Sequence, residues 1–202
     1  MRRVLAVLAF IASLGSAAFA GQSPSSSRPE PSPQPRPSAI RVAVSPRLVS
    51  VDDGDTVTIR WPAGDLEIVR ILGIDTPETR HVEHDIPFDQ PFGPEARAFA
   101  QGVFAAAQSV ELLRAKTLDP YGRTLGYLFV NGTNYSLLVL TAALAEESVT
   151  RYGDNGFAKE AAEVLTTAKA VGPLAFEAPG AYRARMRELS KAMKARGDYP
   201  TH

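Results

Sequence analysis

The chain has 202 residues, 45% of them apolar, with 22 basic and 22 acidic side chains and no cysteine. That length supports one ordinary core, and the lack of cysteine excludes disulfide frameworks, zinc–thiolate sites, thiol nucleophiles and a lipoprotein anchor. The balanced charge counts against a general nucleic-acid coat protein, but it leaves open an enzyme that grips one or two phosphates with a few arginines.

Residues 1–20 carry the pattern of a secretory signal: Arg2 and Arg3, the apolar run Val4 to Leu14, and Ala18-Phe19-Ala20 as a small-residue cleavage site. Cleavage after Ala20 is expected, which would make the protein secreted or periplasmic. A retained membrane anchor is the competing reading, because Val4 to Ala20 is free of charge and close to the lower length limit for spanning. Loss of the signal removes two arginines and no acid, leaving 20 basic and 22 acidic side chains and a net charge of −2. A monomer is expected, without a stable protein partner and without a membrane unless the signal is retained.

Residues 21–40 are rich in proline and serine and poor in large apolar side chains, so a disordered linker is expected there. From Arg41 short β-branched runs begin. Val42 to Val51, Thr56 to Trp61 and Leu66 to Ile74 read as strands joined by Asp-Gly and Pro-Ala-Gly-Asp turns. Gly93-Pro94-Glu95 opens a helix to about Gln108, with Ala96, Phe99, Ala100, Val103, Phe104 and Ala107 at helical spacing. Ser109 to Ala115 and Thr124 to Val130 read as two further strands, the second ending at Asn131-Gly132, and helices follow at about 135–146 and 156–170. This order is that of an α+β fold, a five-stranded Greek-key barrel of the OB type with three packed helices. The domain is expected over 41–178, with a basic helical extension over 179–202 that reads as a solvated cap.

Three segments carry chemistry: Asp53-Gly54-Asp55-Thr56, Arg70 to Thr79, and Asp119-Pro120-Tyr121-Gly122-Arg123. Asp55 opens the second strand and Asp75 ends the third, so both carboxylates can meet at one rim of the barrel. Hard oxygen donors suit Ca²⁺, and the Thr76 carbonyl with waters can complete six to eight ligands. Glu78, one turn beyond Pro77, is placed to hold a water. Arg70 and Arg123 are forked, permanently charged donors for the oxygens of a phosphate in its transition state. Each motif alone has a structural explanation as a turn or a cap; their joint occurrence, in this order around the strands, favours function.

Together the segments resemble the active-site motifs of the staphylococcal nuclease family, over about Leu48 to Leu174. The resemblance implies a calcium-dependent endo- and exonuclease acting on DNA and RNA and leaving 3′-phosphate ends. It matches Asp55 and Asp75 to the calcium carboxylates, Thr76 to the carbonyl ligand and Glu78 to the base or water-orienting group. Arg70 and Arg123 match the phosphate-binding arginines, and Tyr121 a tyrosine near the terminal phosphate. Pro120 departs from the family's lysine, the loop 80–92 is longer and less basic, and the aromatic pair ahead of the last helix is reduced to Tyr152 as a stacking residue. The rival reading is a non-catalytic OB module that binds single-stranded nucleic acid or protein. His81-Val82-Glu83-His84 lacks a third nitrogen ligand for zinc, and Asn131 and Asn134 are assigned to a hairpin turn rather than to glycosylation.

Overall fold

The structure is a computed structural model that describes residues 31–200. The expected signal and the first half of the expected linker lie outside the described residues.

Strand β1 (Arg41–Val44) and strand β2 (Val49–Val51) belong to one run of chain broken by a turn of 3-10 helix at Pro46–Leu48. The single strand expected over 42–51 therefore divides, because Pro46 lacks an N–H for the ladder and opens that turn instead. β3 (Thr56–Arg60) and β4 (Leu66–Ile71) form a hairpin; β5 (Ile74–Asp75) follows after Gly73, whose φ of +83° ends β4 before the expected Ile74. Helix α1 (Gly93–Ala105) precedes β6 (Val110–Leu118) and β7 (Thr124–Val130). β8 (Thr133–Asn134) folds back on β7 and leads into α2 (Tyr135–Thr141).

The main sheet runs β1-β6-β7-β4-β3-β2, antiparallel except for the parallel pair β4–β7, in which Val69 faces Thr124 and Arg70 faces Leu125. β1 and β2 thus lie at opposite ends of the order, although only the short turn after Val44 joins them. Laid flat, the order would separate them by about 24 Å, whereas the five residue steps from Val44 to Val49 span at most about 18 Å. The sheet must curl, and it forms the expected α+β barrel of five principal strands with helices packed on it. Its core gathers Val57, Ile59, Val69, Ile71, Leu112 and Leu128 from the strands with Ala100 and Phe104 from α1, and Val139 and Leu140 from α2. Full burial of each Leu, Ile or Phe contributes about 2 kcal/mol.

α2 stops at Thr141 rather than near 146, because Ala143 turns the chain (φ +55°) into β9 (Glu146–Glu147), which pairs with β5 so that Asp75 faces Glu146. A four-residue helix α3 (Val149–Tyr152) and then α4 (Ala158–Val171) follow, and Gly172 (φ +80°) with Pro173 ends α4. α5 (Pro179–Arg196) is the expected basic helix, but it does not stand in solvent. Tyr182 and Met186 are buried with Ile86 in a second small core, against the loop that follows Thr79.

Residues 31–40 are also not loose. The N–H groups of Leu118 and Gln34 bond the carbonyls of Ser32 and Lys116, and the Ala39 N–H donates to Arg114. Beneath this segment Arg114 lies fully buried on Glu67 through two bonds of 2.7 and 2.9 Å, with Trp61 and Thr124 also donating to that carboxylate. The composition suggested a linker because it holds few apolar residues. Its backbone is ordered instead by pairing along β6, a contact that composition does not register.

Candidate active site

Three turns meet at one rim of the barrel. Asp55 lies just ahead of β3, and its backbone carbonyl accepts from Ile71 N–H at 2.8 Å, which joins the start of β3 to the end of β4. The register Thr56↔Arg70 then sets the Arg70 guanidinium against the Asp55 carboxylate at 2.9 Å, and its other arm reaches Asp75 at 2.9 Å. Thr76 closes the arrangement by donating both its N–H (2.8 Å) and its hydroxyl (3.1 Å) to Asp55 Oδ2. Gly54 makes that approach possible, because a Cβ there would come within 2.8 Å of the Thr76 hydroxyl. The first residues of α2 pin both turns: Tyr135 donates to the Gly54 carbonyl at 2.7 Å and Ser136 to the Leu72 carbonyl at 2.8 Å.

Glu78 is held through its backbone. Gln90, 1% exposed, accepts from Glu78 N–H at 3.1 Å and donates its own N–H to the Glu78 carbonyl at 2.8 Å. Gly93, at the start of α1, packs so closely on this peptide that a Cβ would sit 2.7 Å from the Glu78 carbonyl carbon. The Glu78 carboxylate accepts a hydrogen bond from Arg183 of α5. Arg183 also forks onto both oxygens of Asp75, at 3.0 and 2.7 Å.

Charge is unevenly matched here. Burial pushes the Asp55 carboxyl up to about 7, with Asp53 and Asp75 adding to the rise and Arg70 opposing it. Burial also raises Glu78, against the pull of Arg183, and raises Glu146, with Asp75 adding to that rise. Arg70 is held above its ordinary value, since Asp55 and Asp75 outweigh its own burial, so it stays protonated. The residues therefore suit a hard cation in kind: the donors are oxygens, the carboxylates outnumber the arginines, and a buried carboxylate is left short of positive charge. Among the described residues no three acidic or imidazole side chains form a cage by themselves; the expected set of two carboxylates and one carbonyl does not require one.

Asp55, Arg70, Asp75, Thr76 and Glu78 thus come together; of the remaining candidates, Tyr152 shares a cavity with Asp75. Arg123 lies on the turn before β7, one residue ahead of the Val69↔Thr124 pair, with its guanidinium on Asp119 at 2.6 Å. Tyr121, 85% exposed, lies beside Arg123, whose guanidinium is 5.6 Å from its ring. Tyr152 is exposed at the end of α3 and lines a cavity of about 240 Å³ with Asp75, Glu146, Arg151 and Gly180. Neither Arg123 nor Tyr121 bonds to the carboxylate group. His81 bonds Thr79 and Glu83. Asn134 is buried and caps α2 by accepting from Ser136 N–H.

Sequence reasoning missed Gln90, Glu146 and Arg183. Gln90 carries no motif, and Glu146 enters the site through a strand pair two residues long. Arg183 was legible only as one of several arginines in a basic helix.

The family model described as staphylococcal nuclease homologue matches residues 68–171. Arg70, Asp75, Thr76, Glu78, Tyr121, Arg123 and Tyr152 lie inside that segment; Asp55 and Arg183 lie outside it. The SPbeta prophage-derived endonuclease YokF of Bacillus subtilis (strain 168) is 33% identical over 94 residues, covering 46% of this chain and 30% of its own. A thermonuclease of Staphylococcus intermedius is 36% identical over 96 residues, covering 47% of this chain and 54% of its own. The endonuclease YncB of Bacillus subtilis (strain 168) is 32% identical over 94 residues, covering 46% and 43%. The chain therefore spans about a third to a half of the length of these relatives. With just over half of its residues matched by the family model, and a curled barrel that joins Arg70, Asp75 and Glu78 at one rim, the chain belongs to the staphylococcal nuclease homologue family.

Proposed function

We propose that this protein is a calcium-dependent nuclease that hydrolyses phosphodiester bonds of DNA and RNA, by endo- and exo-cleavage, and leaves 3′-phosphate ends. The observation that carries the reading is the convergence of Asp55, Arg70, Asp75 and Glu78, with Arg70 joining Asp55 and Asp75 through guanidinium–carboxylate bonds of 2.9 Å and Arg183 joining Asp75 to Glu78. It is supported by relatives that bear the names endonuclease and thermonuclease. Held by Asp55, Asp75 and the Thr76 carbonyl, Ca²⁺ would supply positive charge for the non-bridging phosphate oxygens.

The chain's own groups supply the remainder. Glu78, whose carboxyl burial raises against the pull of Arg183, orients the attacking water and takes its proton. Arg70, permanently charged, donates to the oxygens that gain charge as phosphorus becomes five-coordinate. Arg123 exchanges its bond to Asp119 for a second contact with the phosphate. The bond from phosphorus to the 5′ oxygen breaks, the departing oxygen takes a proton from solvent to become the 5′ hydroxyl, and the phosphate stays on the 3′ oxygen. Tyr121 and Tyr152, both exposed, offer faces for the terminal nucleotide and its base.

Digestion of single-stranded DNA by the purified protein tests this, with Ca²⁺, with excess chelator, and with Mg²⁺ or Zn²⁺ in its place. Cleavage restored by Ca²⁺ alone is expected; a folded protein inert with every ion would shift the reading to a binding module. Glu78→Gln and Arg123→Ala should each lower kcat by about 10²–10³-fold, and near-normal turnover would remove the roles assigned. Export rests on residues 1–20 alone, and N-terminal sequencing of the mature protein tests it, with Gly21 expected first.

A further inference from the structure

Arg183 occupies the two carboxylates on which the proposed metal chemistry depends. Its guanidinium takes both oxygens of Asp75, at 3.0 and 2.7 Å, and also bonds Glu78. A divalent ion on Asp75 would then lie within a few ångströms of a second fixed positive charge, and the two compete for the same lone pairs. We propose that Arg183 is a built-in counter-cation which holds the site closed, and that α5 must withdraw it before a divalent metal binds. The inference rests on the metal-dependent reading above and adds a step to it.

The way α5 is attached suits such a movement. Apart from the Arg183 bonds and the approach of Gly180 to Arg151, its anchoring hydrogen bonds run to the loop after Thr79: Tyr182 donates to the Phe88 carbonyl at 2.9 Å, Ser190 to the Asp85 carbonyl at 2.9 Å, and Tyr199, just beyond the helix, to the Val82 carbonyl at 2.6 Å. Ile86, Tyr182 and Met186 form a small core separate from the main one, so loop and helix make a unit with little apolar burial of its own. Units of that kind open at a free energy well below global unfolding. Gly172, with φ of +80°, marks the start of the segment that joins α4 to α5. Gly180 and Ala181, in the first turn of α5, form one wall of the cavity that Tyr152 and Asp75 line. Withdrawal of the helix would therefore widen the substrate side as well as free the carboxylates.

Metal binding and the Arg183 contact must oppose each other equally in both directions. Titration calorimetry of Ca²⁺ into the full-length protein is expected to show affinity about tenfold or more tighter for folded Arg183→Gln than for the native chain, with Arg183→Lys between them. Hydrogen exchange of the native protein provides a second readout that needs no variant: saturating Ca²⁺ should raise exchange over residues 179–196 and not in β3, β4 or β7. Equal or weaker Ca²⁺ affinity in folded Arg183→Gln overturns the proposal and leaves the metal reading intact, as does unchanged protection of 179–196 at saturation. Ca²⁺ binding by neither protein overturns both.

Discussion

Arg70 joins two carboxylates that would otherwise repel each other, with bonds of 2.9 Å to Asp55 and to Asp75 in a nearly buried setting. Arg70→Gln leaves buried Asp55 without its guanidinium partner, while Asp75 keeps Arg183, so stability should fall by about 3 kcal/mol. Urea unfolding in chelator measures the loss, and added Ca²⁺ should recover part of it. Glu67, 4% exposed near the start of β4, makes a different case. Burial would raise its carboxyl, but hydrogen bonds from Arg114 and Thr124 overcome that and hold it below the usual glutamate range. The unfolded chain then binds the proton more readily than the folded one. This contribution is present above about pH 4.3 and is lost as pH falls through the folded value. Glu67→Gln should therefore flatten the acid side of the stability curve between about pH 5 and 3, read from urea midpoints. It should also cost about 3 kcal/mol near neutrality, because Arg114 is left buried without its partner.

Among the elements, α1 does more than fill the core. Its first residue, Gly93, lies against the peptide of Glu78, where a Cβ would overlap the carbonyl group, and Gln90 just before it bonds that peptide from both sides. Gly93→Ala should displace Glu78, lower kcat with little change in KM, and reduce stability by about 1–3 kcal/mol. At Gly102, in the same helix, a Cβ would point into open space. There the same substitution should stabilise by about 0.5–1 kcal/mol and leave turnover unchanged. Thermal unfolding and steady-state kinetics on the two variants separate a positional effect of α1 from its helical propensity.

At the scale of the whole molecule, the segments that flank the barrel are part of it: residues 31–40 run along β6 over the Glu67–Arg114 pair, and α5 closes over the site. Ca²⁺ that binds only the folded chain should stabilise it by about 2.7 kcal/mol at a hundred times its Kd. For a chain of this size that raises Tm by about 5–10 °C. Scanning calorimetry checks this against chelator, and no shift at any concentration would remove the folded-state metal site.

Local apolar periodicity and Gly, Pro and Asp punctuation were enough to set the order of strands and helices, the barrel class, and the three turns that carry Asp55, Asp75 and Glu78. The Asp55 turn and the Arg70 strand were legible together because a hairpin register links them over a short stretch of chain. Packing between distant segments settled the rest: Tyr135 and Ser136 hold the turns beside Asp55 and Asp75, Gln90 clamps Glu78, and residues 31–40 are paired rather than free. It also selected Arg183 from the arginines of α5. Helical periodicity states which residues share a face, but which carboxylate such a face meets depends on how a helix more than a hundred residues away in sequence packs against the loop after Thr79.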